Sequence, residues 1–85
     1  MEITFDPEKD AVNIAKHGLS LADFKGFESE PQLRLDDRYD YAEIRYRAYG
    51  RIAGRGFCVV FTMRAATMRV ISFRRAHDKE MRRYE

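Results

Sequence analysis

The sequence has few of the residues from which cross-links and metal centres are built. It contains one cysteine and two histidines, which excludes a disulfide framework and a zinc site with several cysteine or histidine ligands. Cys58 lies inside an apolar run, where a free cysteine is most simply a buried, inert thiol. The acidic residues show no metal-ligand spacing either. We therefore expect no metal and no other cofactor.

Long apolar runs and nucleotide-binding motifs are also missing. No segment approaches the roughly 20 apolar residues that cross a bilayer, and there is no secretory apolar segment. We expect a soluble cytoplasmic protein with no membrane partner. No glycine-rich phosphate loop or dinucleotide fingerprint occurs. The 85 residues are 45% hydrophobic, which predicts one globular domain over residues 1–85 with a modest core.

Charge is plentiful and unevenly distributed. Residues 1–40 carry a net charge of −5 and residues 41–85 a net charge of +7, within a total of +2. A basic half indicates an anionic partner, either nucleic acid or an acidic protein segment. A dipolar surface that only keeps the protein soluble is the simpler alternative.

The N-terminal part predicts a short strand and two helices. Residues 2–5 alternate in polarity, and Asp6-Pro7-Glu8 is a typical helix start. Gly18 stands where such a helix ends, and Ser20 begins a capping-box pattern for a second helix that ends near Gly26. The first helix is expected to turn an apolar stripe to the core, formed by Ala11, Ile14 and Ala15.

The C-terminal part predicts four strands and a helix. The strands are expected over residues 31–35, 41–49, 57–63 and 68–73. Asp36-Asp37 is interpreted as a turn, and the charged stretch 77–84 as a terminal helix. The order β-α-α-β-β-β-β-α predicts an α+β domain in which the helices cover one face of a small antiparallel sheet.

The register of the two longest strands follows from their apolar residues. Both apolar sets are buried together when Ala42, Ile44, Tyr46 and Ala48 lie beside Phe57, Val59, Phe61 and Met63. The opposite face then collects Glu43, Arg45, Arg47, Thr62 and Arg64. The last strand leaves two alternatives open, since either Arg69, or Arg74 with Ser72, could join that polar face.

The chain resembles the BrnT toxins. The motifs that carry the resemblance are Asn13-x-x-Lys16-His17-Gly18-Leu19-Ser20, Glu43-x-Arg45, Gly50, Gly54-Arg55, Phe61-Thr62-x-Arg64, Arg69-Val70-Ile71-Ser72-x-Arg74-x-Ala76, Glu80 and Tyr84-Glu85. The resemblance implies a RelE-like fold, RNA cleavage that blocks translation, and neutralisation by a BrnA-type antitoxin. That antitoxin binds DNA, so the chain would contact DNA only indirectly. His77-Asp78 departs from the family, which usually has Thr and a basic residue there.

Metal-free cleavage of RNA by its own 2′-hydroxyl needs a base, a stabiliser of charge on phosphorus and a proton source. Arginine binds phosphate oxygens bidentately and stays charged, so it suits stabilisation. Glu43 is the best candidate base, although neighbouring arginines should lower its pKa, and Lys16 and His17 are the other proton carriers. We expect catalysis from Arg64, Arg74, Glu43 and Lys16. We expect RNA binding by Arg45, Arg47, Arg69 and His17.

The same residues also admit purely structural roles. Glu43 would be one of the cross-strand ion pairs that keep a sheet face soluble, and His17 would compensate a helix dipole. The chain would then be a non-catalytic basic module that binds an acidic protein partner or nucleic acid.

Overall fold

The computed structural model describes residues 2–84. The strands are β1 (Glu2–Phe5), β2 (Gln32–Leu35), β3 (Tyr46–Ile52), β4 (Arg55–Arg64) and β5 (Thr67–Arg75). The helices are α1 (Pro7–His17) and α2 (Asp78–Tyr84). A single 3₁₀ turn, Leu21–Asp23, replaces the second predicted helix. The α+β class and the order of elements are confirmed. Glu85, the last residue of the family motifs, lies outside the described residues.

The five strands form one mixed sheet in the order β1-β5-β4-β3-β2. β1 is parallel to β5, whereas the other three pairs are antiparallel. The prediction of a wholly antiparallel sheet is therefore wrong at one edge. β1 and β5 are not joined by a hairpin, so no tight turn imposes the antiparallel direction on them.

The predicted register of β3 and β4 is confirmed where the two strands pair. Tyr46 pairs with Phe61, and Ala48 pairs with Val59. These side chains lie on the core face of the sheet, where they pack with the 3₁₀ turn and with β5. The buried cluster consists of Leu21, Phe24, Ala48, Val59, Phe61, Val70 and Phe73.

The predicted burial fails at the start of the third strand. Ala42, Ile44 and Met63 were expected in the core, but Ala42 is exposed, Ile44 is 63% exposed and Met63 is 37% exposed. The reason is that β3 begins only at Tyr46, and Ala42 turns the preceding chain with a φ of 58°. A left-handed residue of this kind interrupts the alternation of side chains on which the prediction depended.

A β-bulge interrupts the pairing of β5 with β4. Val60 pairs with Ser72, but the next residue, Phe61, pairs with Val70. Ile71 is therefore an extra residue in β5, and it shifts the alternation of every side chain that follows.

The bulge brings both candidate arginine groups of β5 to one face. Arg69 pairs with Thr62, and Arg74 pairs with Cys58. Residues five apart in a regular strand face opposite sides of the sheet, but the extra residue cancels that difference. The two alternatives left open by the sequence are both realised.

The helical elements do not share one face of the sheet, which corrects the prediction that the helices cover one face. The 3₁₀ turn packs on the core face, whereas α2 packs on the opposite face over Tyr49 and Cys58. Met81 is fully buried there, and Tyr84 stacks on Tyr49 with ring centroids 4.4 Å apart. Met81 and Tyr84 form a small apolar face on a helix whose other residues are charged. Gly56 permits the close approach, because an added Cβ would clash with Met81 Cγ.

Helix α1 is fastened to the edge of β5 through a polar side chain. The Asn13 amide donates to the carbonyls of Leu19 and Phe73, at 2.8 Å each, and its Oδ1 accepts from the Phe73 N–H at 3.0 Å. Asn13 thus acts as the next strand residue beyond the end of β1. The prediction of a buried apolar stripe on α1 is wrong, because a helix at the sheet edge buries only Asn13 and exposes Ala11, Ile14 and Ala15.

Replacement of Asn13 by alanine should destabilise the fold by about 3 kcal/mol, because it leaves the buried backbone groups of Phe73 without partners. Val12→Ala, at an exposed position of the same helix, is the matched control and should change stability by less than about 0.5 kcal/mol. Urea denaturation of both variants measures the difference. Equal stabilities would show that the Asn13 hydrogen bonds do not hold α1.

Candidate active site

The face of the sheet opposite the core is open beyond the end covered by α2. We call it the open face. It carries two adjoining pockets, and Arg45 and Ile71 line both of them. The Glu43 pocket has a volume of about 120 Å³ and is lined chiefly by Glu43, Arg45, Thr62, Arg64 and Arg69. The Arg74 pocket, of about 290 Å³, is lined chiefly by Lys16, His17, Arg38, Arg47, Cys58 and Arg74.

Glu43 is held by two arginines in its pocket. Its Oε2 accepts a hydrogen bond from Arg45 Nε at 3.0 Å, and its Oε1 lies 3.6 Å from Arg64 Nη2. The hydrogen bond from Arg45, with a smaller contribution from Arg64, lowers the pKa of Glu43 below its ordinary value. The sequence predicted this direction. An ionised carboxylate with both oxygens engaged is a weak base.

The remaining walls of the Glu43 pocket come from the ends of β4 and β5. Arg64 is the last residue of β4, and its side chain is 62% exposed. Arg69 lies nearby on β5, and its Nη2 is 3.9 Å from Asp6 Oδ2. The Thr62 hydroxyl donates to the Ile44 carbonyl at 2.7 Å, which fixes the irregular chain that carries Glu43.

Arg74 is oriented by a carboxylate from α2. Glu80 receives two hydrogen bonds from the Arg74 guanidinium, each of 2.9 Å, and a third from the His77 backbone N–H at 3.1 Å. The Arg74 hydrogen bonds, followed by that of His77, lower the pKa of Glu80 to about 2. The first turn of α2 is thus built around Arg74, despite the unusual His77-Asp78 at its start.

Three basic side chains of the Arg74 pocket have no hydrogen-bond or ion-pair partner within residues 2–84. They are Lys16, His17 and Arg47. The Nε of Arg47 is buried and lacks an acceptor. Burial, then the positive charges of Arg74 and Lys16, lower the pKa of His17 below its ordinary value of 6.5. A neutral imidazole in a basic pocket is able to accept a proton.

The loop between β2 and β3 depends on a buried carboxylate that was not among the predicted site residues. Asp36 accepts from Arg38 Nε at 2.7 Å, from Arg38 Nη2 at 2.9 Å and from the Tyr41 hydroxyl at 3.2 Å. The hydrogen bond from Arg38 chiefly lowers the pKa of Asp36. The Arg45 guanidinium then covers the Tyr41 ring, 4.1 Å from its centroid. The only signal in the sequence was an Asp-x-Arg spacing within a predicted turn.

The structure brings all eight predicted site residues to the open face. The Glu43 pocket gathers Glu43, Arg45, Arg64 and Arg69. The Arg74 pocket gathers Lys16, His17, Arg47 and Arg74, and shares Arg45. Within residues 2–84, no three His, Cys, Asp or Glu side chains are grouped so that they could hold a metal ion.

Comparison with protein families supplies the deciding observation. A model of the ribonuclease toxin BrnT of type II toxin–antitoxin systems matches residues 5–80. The chain belongs to the BrnT family. The match contains both pockets and Glu80, and membership implies an antitoxin protein as partner. Comparison with curated proteins finds no match. Neither of the two α-helices in the described part of this BrnT chain has the length and apolar character of a membrane span.

Acid should destabilise the fold through Glu80. The pKa of Glu80 is about 2 in the folded chain, below the ordinary 4.5. The ion pair therefore stabilises the fold fully at pH values above 4.5, and this stabilisation is lost as the pH falls from about 5 towards 2. Glu80→Gln should cost about 2 kcal/mol at pH 7 and flatten the decline of stability in acid.

The matched control is Glu30→Gln, which changes an exposed carboxylate of the loop before β2. Urea denaturation between pH 3 and pH 7 gives the stability of both variants. If Glu80→Gln loses stability in acid as steeply as Glu30→Gln does, the Arg74–Glu80 pair is not the source of the pH dependence.

Proposed function

We propose that this BrnT-family chain is a metal-independent endoribonuclease, which cuts RNA by attack of a 2′-hydroxyl on the neighbouring phosphate. It would act in the cytoplasm, inhibit translation and be neutralised by a BrnA-type antitoxin. The single observation that carries the proposal is the composition of the open face. There, arginines from three strands surround an ionised carboxylate and a neutral imidazole.

The open face supplies the groups that this reaction needs. The 2′-oxygen forms a bond to phosphorus, the bond from phosphorus to the 5′-oxygen breaks, and the products carry a 2′,3′-cyclic phosphate and a 5′-hydroxyl. Negative charge grows on the phosphate oxygens in the transition state, and guanidinium forks stabilise it. DNA lacks the attacking hydroxyl and would be spared.

The arrangement of the pockets supports a phosphate position between them. Arg45 and Ile71 line both pockets, so a phosphate over Ile71 lies between Arg64 and Arg69 on one side and Arg74 on the other. Arg69 and Arg74 pair with Thr62 and Cys58, which are four residues apart, or about 13 Å along β4. Arg69 and Arg74 thus flank the shared boundary of the two pockets from opposite ends. The candidate proton acceptors are Glu43, His17 and Lys16.

The basic face also supports the choice of protein partner. Clustered positive charge destabilises a small domain by self-repulsion, and an acidic antitoxin segment would relieve it. The chain itself would have no direct contact with DNA, because the antitoxin carries the DNA-binding segment.

Incubation of the purified chain with RNA in EDTA tests the activity. Fragments that end in 2′,3′-cyclic phosphate are expected. Tight binding of RNA without fragments would favour the alternative, a non-catalytic basic module, and would contradict the proposed function.

Arg64→Ala should lower the cleavage rate by about a hundredfold, since it removes one electrostatic contact to the phosphate. Arg64→Lys should be almost as slow, because lysine keeps the charge but loses the planar fork. RNA affinity should fall much less, as many basic side chains share the ground-state contacts.

Arg75→Ala is the matched control for these variants. It removes an equal charge from β5, at a residue that pairs with Phe57 on the core face. Its cleavage rate should equal that of the parent. A folded Arg64→Ala variant that cuts RNA as fast as Arg75→Ala would remove Arg64 from the site and leave its role to Arg74.

A further inference from the structure

We infer that His17 accepts the proton of the attacking 2′-hydroxyl, and that Glu43 is a positioning residue that orients Arg45 and Arg64. This inference rests on the proposed function and assigns two roles within it. It departs from the expectation that Glu43 is the base.

The contacts of Glu43 argue against a base. One of its carboxylate oxygens is bound to Arg45 Nε and the other faces Arg64, so a substrate hydroxyl would have to displace an arginine from either oxygen. The same contacts suit a positioning role. Glu43 fixes the Arg45 guanidinium, which also covers the Tyr41 ring and borders both pockets.

The surroundings of His17 favour a base. It is the last residue of α1, and its imidazole has no hydrogen-bond or ion-pair partner in the described chain, residues 2–84. It borders a pocket of about 290 Å³, which has room for part of a nucleotide. Asn13 holds α1 against β5 one helical turn earlier, so the fold keeps the end of α1, where His17 lies, at the edge of this pocket.

Charges from every neighbouring element bear on the protonation of His17. Lys16 on α1, Arg47 on β3 and Arg74 on β5 are cationic, and Arg38 in the loop is neutralised by Asp36. Arg74 is itself paired with Glu80 from α2. The net field is positive, so it favours the neutral imidazole and lowers the pKa of His17, as burial also does. Arg47 Nε, buried without an acceptor, supplies a donor for a substrate oxygen in the same pocket.

Every proton in the step is transferred either to the imidazole or to and from water. The 2′-hydroxyl proton passes to the neutral imidazole as the 2′-oxygen bonds to phosphorus. The leaving 5′-oxygen takes a proton from water, and the imidazolium returns its proton to solvent before the next turnover. No metal, oxidant or further reactant is needed.

The test is the pH profile of single-turnover cleavage of one RNA in EDTA by four proteins. The cleavage rate of the parent should fall in acid with an apparent pKa below 6.5, and we call this fall the acidic limb of the profile. His17→Gln should be at least about a hundredfold slower at pH 7.5 and should lack that acidic limb. Glu43→Gln should be about tenfold slower and keep the limb. The matched control is His77→Gln, which changes the other histidine but keeps the backbone N–H that binds Glu80, and it should match the parent.

Two further measurements separate a catalytic loss from a structural one. His17→Gln should bind an uncleavable 2′-O-methyl RNA within about threefold of the parent and melt at the same temperature. Added imidazole should restore part of the activity of His17→Ala but none to Arg64→Ala.

The outcomes distinguish this inference from the function on which it rests. An acidic limb that survives in His17→Gln, or a His17→Ala variant that imidazole does not rescue, overturns the role of His17. Loss of the limb in Glu43→Gln instead would make Glu43 the base. A parent chain that does not cut RNA at all contradicts the proposed function itself.

Discussion

One extra residue in β5 determines which side chains the open face contains. Because Ile71 is bulged, Val70 and Phe73 both enter the core although they are three residues apart. For the same reason Arg69 and Arg74 both leave it on the other side. A regular strand would send one of these arginines into the apolar core, where an unpaired charge is costly. Arg74 on the open face then meets Glu80, and that ion pair sets the start of α2.

The walls of the open face are held by the three buried polar residues of the described chain, which are Asn13, Asp36 and Thr62. Asn13 ties α1 to the edge of β5, Asp36 gathers the loop before β3, and Thr62 binds the carbonyl of Ile44. Each of these residues satisfies its hydrogen bonds within the wall that it anchors. A buried polar group that loses its partner strongly destabilises the fold. The hydrogen bonds of these three residues therefore stabilise the fold and also position the walls of the site.

Much of this arrangement is predictable from the sequence, and the failures have physical reasons. Alternating apolar residues are a local signal, so the elements, the β3–β4 register and the grouping of Glu43 with Arg64 follow from the pattern. The bulge leaves no such signal, and it brings to one face the two groups that alternation alone offered as alternatives. The side on which α2 packs depends on Met81 and Tyr84, too few apolar residues to recognise among charges. The anchoring role of Asp36 depends on the depth to which a loop is buried, which a local pattern does not contain.

The central claim is that Arg69 and Arg74 face the RNA together while Arg75, the next residue, does not. Titration with an uncleavable 2′-O-methyl RNA, followed through the Nε–Hε resonances of the arginines, tests this directly. The resonances of Arg69 and Arg74 are expected to shift with that of Arg64. The resonance of Arg75, whose guanidinium lies 5.3 Å from the centroid of the Phe57 ring, is expected not to shift. Shifts of Arg69 and Arg75 without Arg74 would mean that β5 has no bulge in solution and that Arg74 is not part of the RNA site.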